Sequence, residues 1–224
     1  MQRIYQGIDD YFYEDQRLVR NAFGRGRLIH VGSAAPDHWI GMNGCRWTKP
    51  EYLREIIALS DVYPSLHQLF HFKLGLRNAT GLDVAQELGR LSGDLARYDE
   101  IKELLLWLGS YVDRPEWNGQ IPQILGNKTI LPVKQVKIDL RAPDALDWFI
   151  ADTEKMERSF KGKVALLDFS VDEISKLQKL LEKLLVQRRA LSLSCRERYD
   201  LHGSRQLHGA WTNSLRSKAV YVSW

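Results

Sequence analysis

The chain has 224 residues, 44% of them hydrophobic and 27% charged, the proportions of a globular protein long enough for one or two domains with a real core. No apolar run approaches the roughly 20 residues of a spanning helix, and the acid-bearing N-terminus MQRIYQGIDDYFYED lacks the apolar stretch of a signal peptide. The formal net charge of +4 is unevenly placed: from Lys183 onward eight Lys/Arg face two acids, so the remainder is slightly acidic.

The first periodic segment is 15–23, where Leu18, Val19, Ala22 and Phe23 share a helical face and Gly24 is placed as the stop. A strand is expected at 28–31 after Gly-Arg-Gly-Arg, with 38–40 pairing back and a turn around Met42-Asn-Gly44. Residues 45–47 continue as a brief strand or coil, making a small aromatic β element. From Pro50 the pattern reads as helical, and Tyr63-Pro64 ends that segment. Ser65 is then placed to cap a helix whose stripe is Leu66, Leu69, Phe70 and Leu74, up to Gly75. Residues 80–91 read as another helix, with Thr80-x-x-Asp83 as its cap. Asp94 opens a longer one marked by Leu95, Tyr98, Ile101, Leu105, Leu108 and Val112. Pro122 leaves 117–125 ambiguous, and Gly126-Asn127 is a turn and a boundary.

The best-specified stretch is 130–185, read as strand, turn, strand, short helix, strand, long helix. Pro132 assigns the first strand to a sheet edge or a strand end. Val136, Ile138 and Leu140 alternate with polar residues, as in a half-buried strand. The run 164–169 suits a strand covered on both faces. In Ser170-Val-Asp-Glu173 the serine hydroxyl accepts from the Glu173 N–H and the carboxylate reaches back, a capping box, with Phe169 and Ile174 at the staple positions. Val171, Ile174, Leu177, Leu181, Leu184 and Leu185 form the apolar stripe. Beyond it the pattern weakens, although Leu215, Ala219 and Val222 fit a helix over 211–222. The fold class is therefore α+β. It divides into a helical part with a small N-terminal β element (1–128), an α/β part (129–187) and a basic, weakly patterned segment (188–224).

Several of these runs resemble a family. They are 15–31, Trp39-Ile40, Cys45-Arg-Trp47, Ala58-Leu-Ser-Asp-Val-Tyr-Pro64 and Phe70 with Leu74-Gly75. Further on come Leu131-Pro-Val, Trp148-Phe-Ile-Ala-Asp152, Phe160-Lys-Gly-Lys163 and Leu166-Leu-Asp-Phe169, and more weakly Arg189-x-Leu-Ser192 and Leu215-Arg-Ser-Lys-Ala219. Together they look like a module of the very large NO VEIN-like, sacsin-related proteins, through dispersed motifs covering most of the chain. In that family the module follows a GHKL-type ATPase. The ATPase's own Asp-x-Gly-x-Gly loop is not in this sequence, and Gly24-Arg-Gly26 follows a helix rather than a strand and is no Gly-x-Gly-x-x-Gly. The resemblance thus implies an accessory part of a chaperone-like or scaffold protein. Since the family's proteins continue beyond the equivalent of Trp224, it also implies a fragment or a shortened relative.

The residues offer few catalytic patterns. His67 and His71 lie four apart, on one helical face, but Gln68, Leu69 and Phe70 stand between them where a zinc protease needs Glu at the first of these positions. A third ligand would have to come from Cys45, His30 or His38. Two ordinary histidines beside a core stripe is the preferred reading. Cys45 as a nucleophile needs a base such as His38, and no third member can be assigned; a buried thiol is preferred. Asp9-Asp10 and Asp99-Glu100 point to different faces and read as solvated acids. Of the seven tryptophans, Trp107 alone lies off its helix's stripe, which makes it the candidate partner contact.

The expectation is a non-enzymatic module without metal or cofactor that supports an ATPase or scaffold through protein contacts. The two well-separated cysteines, Cys45 and Cys195, point to free thiols in a reducing compartment, hence an intracellular protein, cytoplasmic or nuclear, with no membrane partner. The main rival is nucleic-acid binding by Arg188, Arg189, Arg196, Arg198 and Arg205. A hydrolase with an unseen site is the third class.

Overall fold

The computed structural model describes residues 1–32, 38–199 and 218–222, with only the backbone of 196–199 and 218–222. The α+β class holds: helices dominate, and the largest sheet has four strands. The chain forms two compact units that do not follow chain order. Unit 1 is Met1–Leu91 with Glu103–Ile121; unit 2 is Ser92–Lys102 with Pro122–Trp224. This differs from a division at 128 and 187. Residues 92–102 belong with the sheet because Gly93 N–H donates to Thr129 O (2.8 Å) and the Ser92 hydroxyl accepts from Thr129 N–H (2.9 Å). Residues 188–194 belong there as well, since Ile150 N–H donates to Arg189 O and Leu191 N–H to Ile150 O.

Unit 1 begins with α1 (Gln2–Tyr11), a helix not expected from the sequence pattern although Tyr5, Ile8 and Phe12 carry its period. Helix α2 (Gln16–Arg25) is capped by Asp15, whose carboxylate accepts from Leu18 N–H, and it runs through Gly24 to stop at Gly26. Its buried face is Val19 and Phe23, while Leu18 is exposed. Strands β1 (Ile29–His30) and β2 (Trp39–Ile40) pair antiparallel as expected. Strands β3 (Cys45–Arg46) and β4 (Ile57–Ala58) pair in parallel, and only α3 (Leu59–Val62) is helical in the stretch after Pro50. There the backbone finds distant partners instead: 57–58 pair with 45–46, and Ser60 N–H donates to Trp47 O. Ser65 does not cap a helix; its hydroxyl accepts from the Gln2 side chain. The chain then turns into a π-helix, Gln68–Lys73, and this region still buries Leu66, Leu69, Phe70 and Leu74.

Helix α4 (Gly81–Arg90) has the predicted Thr80/Asp83 capping box. A Cβ at Gly81 would meet the Tyr111 ring at 2.8 Å, so only glycine lets these elements approach. Asp94 caps a 3₁₀ turn that leads into α5 (Tyr98–Tyr111). Ile101, Leu104, Leu105 and Leu108 are buried there, but Leu95 is exposed. Helix α6 (Ile121–Leu125) resolves the ambiguous stretch before the sheet.

Unit 2 is built on β5 (Leu131–Lys134), β6 (Ile138–Arg141), β7 (Trp148–Phe149) and β8 (Ala165–Leu167), in the order β6-β5-β8-β7. Strand β5 is therefore interior rather than an edge, and of the two expectations from Pro132 it is the strand end that applies, since its ladder with β8 covers only Val133 and Lys134. A residue's N–H and C=O project to the same side of a strand. Pro132 O accepts from Asp168 N–H, just past the end of β8, so the missing donor faces a place where the ladder has stopped. The alternating set fares less well: Leu140 is buried, whereas Ile138 and Val136 are exposed. Strand β7, which pairs in parallel with β8, was not expected from the sequence pattern. Leu166 and Leu167 are both buried, as a strand covered on two faces requires.

Helix α7 (Glu154–Phe160) is capped by Thr153 and precedes β8. Helix α8 (Val171–Lys183) has the predicted capping box: Ser170 Oγ accepts from Glu173 N–H (3.3 Å) and Glu173 accepts from Ser170 N–H (2.8 Å). Leu185 leaves the predicted stripe; it is 81% exposed, with φ 60°. The helix has ended by then in a Schellman motif, where Val186 N–H donates to Leu181 O and Leu185 N–H to Glu182 O. A short turn (Gln187–Arg189) and α9 (Leu191–Ser194) come after it. Strand β9 (Cys195–Tyr199) then pairs antiparallel with β10 (Lys218–Val222). Residues 218–222 are thus strand rather than the end of the expected helix, whose start at 211–217 lies outside the described residues. Among the described residues no helix is long and apolar enough to cross a membrane.

Candidate functional site

A concavity of about 690 Å³ in unit 2 runs along α8 and faces 150–152 and 187–193. The capping box fixes where α8 begins, and the Schellman turn sends the chain back across it. Residues Ile150 and Ala190 then meet in a parallel bridge. Asp152 pins the return: Oδ1 accepts from Ser192 N–H (3.1 Å), and its other oxygen accepts from the Ser192 hydroxyl. Ile150, Ile174 and Leu181 supply apolar lining, and Asp152, Asp172 and Glu182 supply carboxylates. No Lys, Arg, His or Cys is among the described residues that line it. Leu193 lines it while 72% exposed. The arrangement can bury an apolar side chain and attract a cation; of its two serines, Ser192 is bonded to Asp152, and no histidine lines the groove among the described residues.

The candidate residues named from sequence do not converge on this groove. Trp107 belongs to unit 1, is half-buried, and stacks on Tyr111 at 4.9 Å, with the Arg114 guanidinium 5.1 Å from the Tyr111 ring centre. Much of its face is thus already used. Arg188 is exposed beside the groove. Arg189 is not a free cation: its guanidinium lies 4.9 Å over the buried Trp148 ring and donates to Trp148 O. Burial lowers its pKa, and Asp147 and Asp144 act in the opposite sense. The side chains of Arg196 and Arg198, and all of Arg205, lie outside the described residues. Asp152, Asp172 and Glu182 were not singled out from sequence. Asp172 and Glu182 do share a face of α8, but Asp152 reaches Ser192 across forty positions of chain.

Two other clusters have structural explanations. The His67 and His71 rings stack at 4.9 Å, His67 packs on Trp47, and His71 Nδ1 lies 2.7 Å from Leu76 O. No group of three metal-ligating side chains occurs among the described residues. Cys45 is fully buried, with its thiol directed at Met42 O, and burial raises its pKa to about 12 against a lesser opposing effect of Arg46. It carries no thiolate at neutral pH. In unit 2, the Tyr98 hydroxyl donates to Asp168 (2.9 Å), which Lys102 also contacts (3.2 Å). Burial and then Asp168 raise the tyrosine's pKa, so this is a neutral phenol that ties 98–102 to the sheet within unit 2.

The family described as a domain of unknown function, DUF8348, matches residues 83–195, a little over half of the chain, and the chain belongs to that family. The matched span contains every described residue that lines the α8 groove. No curated protein and no solved structure matches the chain.

Proposed function

We propose that this DUF8348 chain is a non-catalytic accessory or scaffold module that acts through protein–protein contacts, intracellularly, beside a GHKL-type ATPase of the NO VEIN-like, sacsin-related kind. The observation that carries the reading is the α8 groove, with its apolar lining, the exposed Leu193 on its wall and a second exposed leucine, Leu185, just past the end of α8. Large apolar side chains left in water next to a concavity are what a docking surface presents. The DUF8348 family carries no assigned activity, and the ATPase neighbour comes from the sequence resemblance alone.

The test is to mix the chain with the GHKL-type ATPase domain of a NO VEIN-like protein and measure association by analytical ultracentrifugation. A complex that weakens when Leu185 and Leu193 are changed to Asp is expected. Absence of a complex, or ATP turnover by the isolated chain, would overturn the reading. The rival, nucleic-acid binding by the basic C-terminal segment, is favoured by its charge surplus and by the exposed Arg188. It predicts a sub-micromolar complex with DNA or RNA that weakens steeply with salt.

A further inference from the structure

We infer that the α8 groove is the docking site for a basic amphipathic helix of a partner protein. This deepens the accessory reading and rests on it. The first argument is charge. Asp152, Asp172 and Glu182 line the groove and no cation lines it among the described residues, although the chain as a whole carries +4. A local acidic field on a basic protein repels phosphate and anionic lipid and draws Lys and Arg. The second is shape. Asp172 and Glu182 stand ten residues apart on α8, about 15 Å, room for close to three turns of an incoming helix. Ile174 and Leu181 lie between them at the spacing that receives anchors at i, i+3 or i+4, and i+7. Leu193, on the opposite wall, closes over such anchors. Nucleic acid would place phosphates against the three carboxylates.

The test uses the full chain and a fluorescein-labelled Leu/Lys peptide of about 18 residues patterned as an amphipathic helix. Two control peptides go with it: one with Lys replaced by Glu, one with the same composition scrambled. Anisotropy at physiological salt is expected to give micromolar binding of the first and at least about tenfold weaker binding of both controls. Hydrogen exchange should then show protection in α8 and in 187–193. Asp172→Asn with Glu182→Gln should weaken binding about tenfold, as should Leu193→Asp, with melting curves unchanged. No binding, equal binding of the scrambled peptide, or protection confined to unit 1 would overturn the inference. An ATPase-domain complex that forms without the groove would remove this assignment and leave the accessory reading standing. Peptide bound in the groove without a domain complex would do the reverse.

Discussion

Unit 1 packs rings whose polar tips are tied to backbone, while unit 2 packs aliphatic side chains beneath a capped helix. In unit 1 the Tyr5 ring meets Tyr63 at 5.1 Å and Phe70 at 5.3 Å. Its hydroxyl donates to Leu28 O and accepts from His30 N–H, and the Tyr63 hydroxyl donates to His30 O. Two-residue strands and a π-helix are held in place by these tips and by Arg46, whose guanidinium grips Asp83 at 2.5 and 3.2 Å. In unit 2 the regular elements carry their own local bonds, and Leu177, Leu180 and Leu181 fill the space beneath α8. Irregular backbone needs specific long-range polar partners; regular backbone needs mainly an apolar face. Losing one partner is therefore costly in the first case and modest in the second.

The largest effect is expected from Asp83→Ala. It leaves the Arg46 guanidinium, 12% exposed, without its carboxylate and removes the Asp83 half of the α4 capping box, a loss of about 3–5 kcal/mol measured by chemical denaturation. Hydrogen exchange should show the damage in unit 1; equal loss of protection in α8 would break the distinction between the units. The same pair sets an acid limb. Burial alone would raise the Asp83 pKa, but the hydrogen bonds from Arg46 and Thr80 outweigh it and hold the carboxyl below its usual range. Its contribution is therefore present above the ordinary aspartate pKa and disappears as the pH falls through the depressed folded value. Asp83→Asn, less stable at neutral pH, should show a shallower decline between neutral pH and that acid range. An unchanged slope would show that the pair does not contribute.

Tyr5→Phe comes next. It keeps the ring but strips His30 N–H and Leu28 O of their partner, for a loss of about 1–3 kcal/mol, read from the denaturation midpoint. A neutral result would mean that the rings alone hold unit 1. In unit 2, Ser170→Ala should cost only about 1 kcal/mol, because it removes one acceptor at the start of α8. A midpoint equal to wild type would show that the Glu173 half of the box suffices. The smallest change has the opposite sign. Leu185 sits at φ 60°, where a side chain is strained by about 1–2 kcal/mol. Leu185→Gly relieves that, partly offset by greater freedom of the unfolded chain, and should raise stability by about 0.5 kcal/mol. Destabilisation would mean that the leucine contributes packing of its own.

What the sequence by itself determined is whatever closes within three or four residues. The Thr80/Asp83 and Ser170/Glu173 boxes, the Asp94 start, and the stripe of Ile174, Leu177 and Leu181 involve neighbours one helical turn apart, so residue spacing alone specifies them. Half of the groove was legible in this way, the α8 half. Tertiary structure decided the rest, because the partners lie far along the chain. Pro132 is tolerated inside a sheet only because β8 ends opposite it. Residues 50–58 gave up a helix, with 57–58 pairing with Cys45 and Arg46 instead, and 68–73 became a π-helix while Leu66, Leu69, Phe70 and Leu74 stayed buried. Residues 92–102 joined the sheet through Thr129, Val133 and Asp168. The far wall of the groove is held by the contact of Asp152 with Ser192, which adds a third carboxylate to the two that α8 itself carries. Such contacts depend on which distant backbone groups remain unpaired after the local elements have formed, and residue spacing carries no record of that.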